Sequence, residues 1–199
     1  QALPGMTPAE RSAIYDETNR VISALHTVPF AEQGLAGYGK PGNYFERQIG
    51  RWSKQYVASI TQLIEAMDRL IDWLPAHMPA SARDESKVAV VHGDYRLDNL
   101  VFHPTEPRVL AVLDWELSTI GHPLADFSYH CMAWHIPPGA FRGVGGVDLA
   151  ALGIPDEKAK AMNKLLRQRF KKVKVQIQGD TLRIFSPSKD ELQAAMTAL

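Results

Sequence analysis

Through the first eighty residues, apolar side chains return every three or four positions. Ile14, Thr18, Val21, Ile22 and Leu25 share one face of a helix of period 3.6. Three signals agree on its start: Thr7 can cap, Pro8 takes the first helical position, and Glu10 completes a capping box. The helix should end near His26, ahead of Pro29. Residues 30–42 are dense in glycine and proline and read as a loop. A second helix is expected over 43–60, with Phe45, Ile49, Trp52, Tyr56 and Ile60 on one face, and a third over 61–74, with Leu63, Met67, Leu70, Ile71 and Leu74. Stripes of this kind are usually buried, so both are expected to be core. Pro75, Pro79 and the polar run 80–87 then read as a linker.

At residue 88 the period changes. Val88 to Val91 is a short β-branched run that ends at His92-Gly93-Asp94, and Val109 to Leu113 is another that ends at Asp114. Both read as strands, with Thr105-Glu106-Pro107 as the turn in the unit they bound. A largely buried helix should open at Pro123, carry Leu124, Phe127, Tyr129, Met132 and Trp134, and stop at Pro137-Pro138-Gly139. Residues 139–155 read as a glycine-rich loop. Beyond them the character shifts. From Lys158 to Lys174 every charged residue is basic, on an amphipathic helix marked by Met162, Leu165, Leu166 and Phe170. Val173, Val175 and Ile177 alternate, Gly179-Asp180 turns, and Leu182 and Ile184 alternate again, which predicts a hairpin. Ser188 with Glu191 opens a last helix through Leu199.

The organisation expected is therefore a 1–155 domain and a 156–199 helix–hairpin–helix appendage, α+β and mainly helical. A chain of 199 residues can bury a substantial core. A formal net charge of zero argues against nucleic acid as a partner of the whole chain. Cys131 is the single cysteine, so no internal disulfide forms, which fits the cytoplasm or another reducing compartment. No apolar stretch approaches the roughly 20 residues of a membrane span. The opening residues lack the basic and apolar regions of a signal peptide.

Candidate chemistry gathers in 92–116. Two strand ends each deliver a carboxylate, Asp94 and Asp114, with the amide of Asn99 between them. Phosphoryl transfer needs such a set: a carboxylate to orient a hydroxyl and accept its proton, and oxygen ligands to hold Mg²⁺ against nucleotide phosphates. Asp94 suits the first role; Asn99 and Asp114 suit the second. Singly, each is an ordinary turn residue; order and spacing together favour the catalytic reading. Arg96 and Glu116 are candidate phosphate or substrate contacts, with solvated or capping roles as the plain alternatives. His122, His130 and His135 lack zinc-site spacing and read as core or surface histidines. The glycines of 34–42 follow no strand and precede no Walker lysine, so they are not read as a phosphate loop.

The spacing His92-x-Asp94-x4-Asn99 followed by Asp114-Trp115-Glu116 resembles the catalytic core of the aminoglycoside phosphotransferase and choline kinase-like family. The wording HGDYRLDNLVFHP…VLDWELSTIGHPLADFSYH is similar to the phosphotransferase domain joined to certain acyl-CoA dehydrogenases, over about residues 3–154. The resemblance implies the C-terminal catalytic lobe of a protein-kinase-like fold, ATP and Mg²⁺ as cofactors, and a small-molecule hydroxyl as acceptor. The lobe that would carry a glycine-rich loop and a paired lysine is not read ahead of Thr7, so weak turnover is expected; a missing N-terminal lobe or a fused acyl-CoA dehydrogenase would be the partner. His92 is implied to hold the loop structurally. Asp126, in the opening turn of the helix after Pro123, is expected to accept the backbone amides of the His92-Gly93-Asp94 turn rather than to act on substrate. The tail, KVQIQGDTLRI…KDELQAAM, resembles the C-terminal segment of the YajQ family of nucleotide-binding proteins. A non-catalytic chimeric or fragment module that at most binds nucleotide is the alternative function.

Overall fold

The computed structural model describes residues 3–84, 86–139, 143–154, 174–178 and 181–185. The expected helices over 158–174 and 188–199 and the Gly179-Asp180 turn lie outside the described residues. The chain divides into two compact units, each taken by itself below: Gln1–Ser23, Arg96–Leu113 and His130–Leu199 form the first, Ala24–Tyr95 and Asp114–Tyr129 the second.

Helix α1 runs Pro8–His26, its start fixed by the reciprocal box read from the sequence. The Thr7 amide donates to Glu10 Oε2 at 2.7 Å, and the Glu10 amide to Thr7 Oγ1 at 3.3 Å. In the first unit its Tyr15 is fully buried and meets Trp134 edge-on at 5.5 Å, in a cluster with Ala133, Val144 and Ile154. Strands β2 (Leu100–Phe102) and β3 (Val109–Val112) pair antiparallel there, Leu100 opposite Val112. Glu17 of α1 accepts the Val109 amide at 2.9 Å and grips Arg20 with both oxygens, at 2.6 and 2.8 Å. A short helix α5 (Leu149–Leu152) is capped by Asp148, which accepts the Ala151 amide at 2.9 Å. Strands β5 (Lys174–Gln178) and β6 (Thr181–Phe185) form the expected antiparallel hairpin, Val175 opposite Ile184.

In the second unit, β1 (Ala89–Val91) pairs antiparallel with β4 (Thr119–Gly121), Ala89 opposite Gly121 and Val91 opposite Thr119. All three residues of β1 are buried. Helix α4 (Leu124–Cys131) belongs to this unit as far as Tyr129; its last two residues and the tight turn that follows, through Trp134, belong to the first. It is less buried than its pattern suggests, since Leu124 and Met132 are exposed. Helices α2 (Tyr44–Ser59) and α3 (Glu65–Ala76) form where expected but bury no residue. Trp52 is 46% exposed and Leu63 83%, and Ile60, Leu70 and Trp73 are also exposed. The expectation of a core is thus corrected: the period names a face, but this one is only partly covered, with Phe45, Ile49, Tyr56, Met67, Ile71 and Leu74 half-buried and Phe45 against His122 at 5.2 Å.

Candidate functional site

The turn that carries Asp94 is built from the backbone outward. Val91 ends β1, and Gly93 then turns the chain at φ +88°, a conformation that favours glycine. A side chain at Gly93 would also meet the Leu117 backbone and side chain at 2.7–3.0 Å, so the position tolerates neither a Cβ nor an ordinary φ. His92 is fully buried between the rings of Trp115, at 4.9 Å, and Tyr95, at 6.1 Å. Its Nδ1 accepts the Asp94 amide at 3.2 Å. The Asp94 side chain is left half-buried, on a backbone whose N–H is already engaged.

Beneath that turn lies Asp126, 1% exposed. Its Oδ2 accepts the His92 amide and its Oδ1 the Gly93 amide, each at 2.7 Å, so one carboxylate spans the turn. These are the amides that the sequence pointed to. The third partner was not foreseen: His26 Nε2, at the end of α1, lies 3.0 Å from Asp126 Oδ2 with both side chains buried. In the sequence His26 is visible only as the end of a helix, and its partner is a hundred residues away. Burial and, behind it, the Asp126 charge push the Tyr44 phenol above its ordinary range.

Asn99 belongs to the first unit and closes a tight turn, Leu97–Asn99, where it is buried. Its amide donates to the Arg96 carbonyl at 3.0 Å, and its own carbonyl accepts the Leu113 amide at 2.8 Å. Leu113 is the residue immediately before Asp114 in the chain. Asp114 itself stands exposed in the second unit, at φ 66° and ψ 58°. A left-handed aspartate is uncommon, and such strain persists where the surrounding structure requires it. Arg96 is half-buried and Glu116 exposed. His122 and His130 are buried and His135 is exposed; Cys131 is a buried thiol.

In the second unit a buried carboxylate thus clamps the turn after β1 and an aspartate is displayed on that turn; in the first unit the Leu113 amide bonds the Asn99 carbonyl. Residues 1–157 match the phosphotransferase enzyme family, and the chain belongs to it. Residues 147–199 match a second family, that of YajQ-like nucleotide-binding proteins. Acyl-CoA dehydrogenase family member 10 of Mus musculus is 48% identical over 156 residues, 77% of this chain and 14% of that protein. Acyl-CoA dehydrogenase family member 11 of Homo sapiens is 47% identical over 135 residues, 68% of this chain and 17% of that protein. The chain therefore spans about a sixth of these relatives. A solved structure from Ralstonia eutropha JMP134, provisionally called an aminoglycoside phosphotransferase, is 53% identical with a TM-score of 0.75; the match covers 99% of this chain and 64% of that one. The aminoglycoside-3'-phosphotransferase of type VIII shares the fold at 15% identity, with a TM-score of 0.57. No helix among the described residues is long and apolar enough to cross a membrane.

Proposed function

We propose that residues 1–155 are the C-terminal catalytic lobe of a phosphotransferase that moves the γ-phosphoryl group of ATP, with Mg²⁺, to the hydroxyl of a small molecule. Residues 156–199 are then an appendage outside that lobe. Asp94 orients the acceptor hydroxyl and takes its proton as the phosphoester forms and ADP leaves. The reading rests above all on the bond between the Leu113 amide and the Asn99 carbonyl, because Asp114 is the next residue along. Asn99 and Asp114 are a carboxamide and a carboxylate, the hard oxygen donors that Mg²⁺ takes, and these two would hold it. When bound, the cation supplies neutralisation of phosphate charge. His92 and Asp126 position Asp94 without touching substrate, and Arg96 and Glu116 contact phosphate or substrate. In the first unit the β2–β3 hairpin exposes Val101, Leu110 and Leu113, an apolar surface suited to a nucleotide base or to a further lobe. In a longer polypeptide this lobe would join an N-terminal nucleotide lobe and, as in the relatives named above, an acyl-CoA dehydrogenase, in the cytoplasm or another reducing compartment.

Calorimetry of the 199-residue chain with a non-hydrolysable ATP analogue tests this. Binding should require Mg²⁺ and be lost in Asp114→Asn. Binding indifferent to Mg²⁺, or unchanged in that variant, would return the chain to a non-catalytic module.

A further inference from the structure

We propose that Tyr38 is a positioning residue for the cation: through Ser118 its hydroxyl sets the turn Trp115–Leu117, and with it the carboxylate of Asp114. This role rests on the reading of Asp114 as a Mg²⁺ ligand. Every residue it involves belongs to the second unit. Asp114 needs such support. It stands at φ 66°, where a residue with a side chain is strained. Its carboxylate makes no capping bond to the turn it opens, so the backbone of that turn has to fix it. The same turn abuts the loop that displays Asp94. A Cβ on Gly93 would crowd the Leu117 carbonyl, and the Trp115 ring flanks His92 at 4.9 Å.

Ser118 closes the turn. Its amide donates to the Trp115 carbonyl at 2.9 Å, and its hydroxyl donates to the same oxygen. A serine hydroxyl has one proton, so the bond between Ser118 and Tyr38 is donated by the tyrosine. The relay therefore has a direction: Tyr38 hydroxyl to Ser118 hydroxyl to Trp115 carbonyl, from a residue 80 positions earlier in the chain. Its outer end is anchored along β4. A Cβ on Gly39 would fall on Thr119 Oγ1 and on the Ile120 amide, so glycine is what lets the segment lie this close. At the far end of β4 the Tyr44 ring packs on Gly121, where a Cβ would strike it. Between these points Arg47 of α2 donates to the Lys40 carbonyl. Residues 38–44 thus run beside Ser118–Gly121 as a strap, which gives the end of the glycine-rich loop a role other than holding phosphate. Tyr38 is 43% exposed, so removing its hydroxyl opens no buried cavity and leaves the fold in place.

Calorimetry of the 199-residue chain with a non-hydrolysable ATP analogue, repeated across a series of Mg²⁺ concentrations, tests the relay. Tyr38→Phe should raise the Mg²⁺ concentration for half-maximal binding about fivefold, the scale of one hydrogen bond. Its melting temperature and its nucleotide affinity at saturating Mg²⁺ should match the parent. Ser118→Ala should act in the same direction, and the double variant should be no worse than Ser118→Ala alone, since both changes break one relay. Amide exchange of the chain without nucleotide or metal is a second readout. Tyr38→Phe should speed exchange of the Ser118 amide and leave the His92 amide, held by Asp126, at the parent rate. An equal Mg²⁺ midpoint in parent and Tyr38→Phe, additive effects in the double variant, or an unchanged Ser118 exchange rate would each overturn the role of Tyr38 and leave the phosphotransferase reading standing. Parent binding that is absent or indifferent to Mg²⁺ would instead remove Asp114 as a ligand, and the role of Tyr38 with it.

Discussion

Asp126 ties the Asp94 turn from a buried position. Two backbone amides and the His26 ring converge on it in a buried setting. Removing the carboxylate takes this acceptor from all three, and a stranded buried donor is costlier than the bond it loses. Asp126→Ala should therefore lower stability by about 1–3 kcal/mol, and Asp126→Asn by less, since a carboxamide oxygen still accepts but without charge assistance. Thermal melts of the two variants check this, and an Ala variant as stable as the parent would refute it. Glu17 offers a second test, by pH. Its hydrogen bond from Arg20, more than that from the Val109 amide, holds its pKa below the ordinary value of 4.5. A carboxylate depressed in the fold contributes stability above its unfolded pKa and loses it as pH falls through the folded value. The parent should then lose stability on acidification below about pH 4.5 more steeply than Glu17→Gln, and parallel acid titrations of the two would contradict the assignment.

At the scale of elements, exposure separates substitutions that matter from those that do not. Leu63→Ser, in the exposed connection between α2 and α3, should change stability by no more than about 0.5 kcal/mol, as surface changes do. Tyr15→Ala, in the fully buried ring pair with Trp134, should cost about 3–5 kcal/mol. Denaturant melts that ranked the two the other way would overturn the burial pattern. The same contrast shows what could be read in advance. Helix α1 was legible because its signals are local: Thr7, Pro8 and Glu10 sit within one turn. The period of α2 and α3 was legible too, but a period cannot say whether anything lies against it. Strands β2 and β4 are three residues long and are not marked in the sequence, whereas β1, equally short, stands out through the unbroken run Val88 to Val91. Among the candidate residues, Asp94, Asn99 and Asp114 were visible through spacing, and Asp126 through its place in a first turn. His26 was not, since nothing within ten residues of it names a partner a hundred positions away.

For the whole molecule the question is how much of a phosphotransferase this polypeptide amounts to. The match to the Ralstonia eutropha structure covers nearly all of this chain but 64% of that one. Catalysis in this reaction class is mostly electrostatic: the phosphoryl group in flight is stabilised by metal, by a glycine-rich loop and by a lysine. The parts proposed here account for the acceptor base, Asp94, and two cation ligands, Asn99 and Asp114. The loop and the lysine have no counterpart in the turn-and-ladder core described above. Positioning of the hydroxyl would survive without them, while most of the charge stabilisation would not. The 199-residue chain with Mg²⁺ and ATP should therefore bind nucleotide yet turn over well below ~1 s⁻¹, the low end for kinases. Coupled measurement of ADP release checks this, with Asp94→Ala as the control for contaminating activity. A rate near ~1 s⁻¹ that Asp94→Ala abolishes would show that this polypeptide needs no second lobe to stabilise the transferred group. A rate that Asp94→Ala leaves untouched belongs to another protein in the preparation and leaves the low intrinsic rate standing.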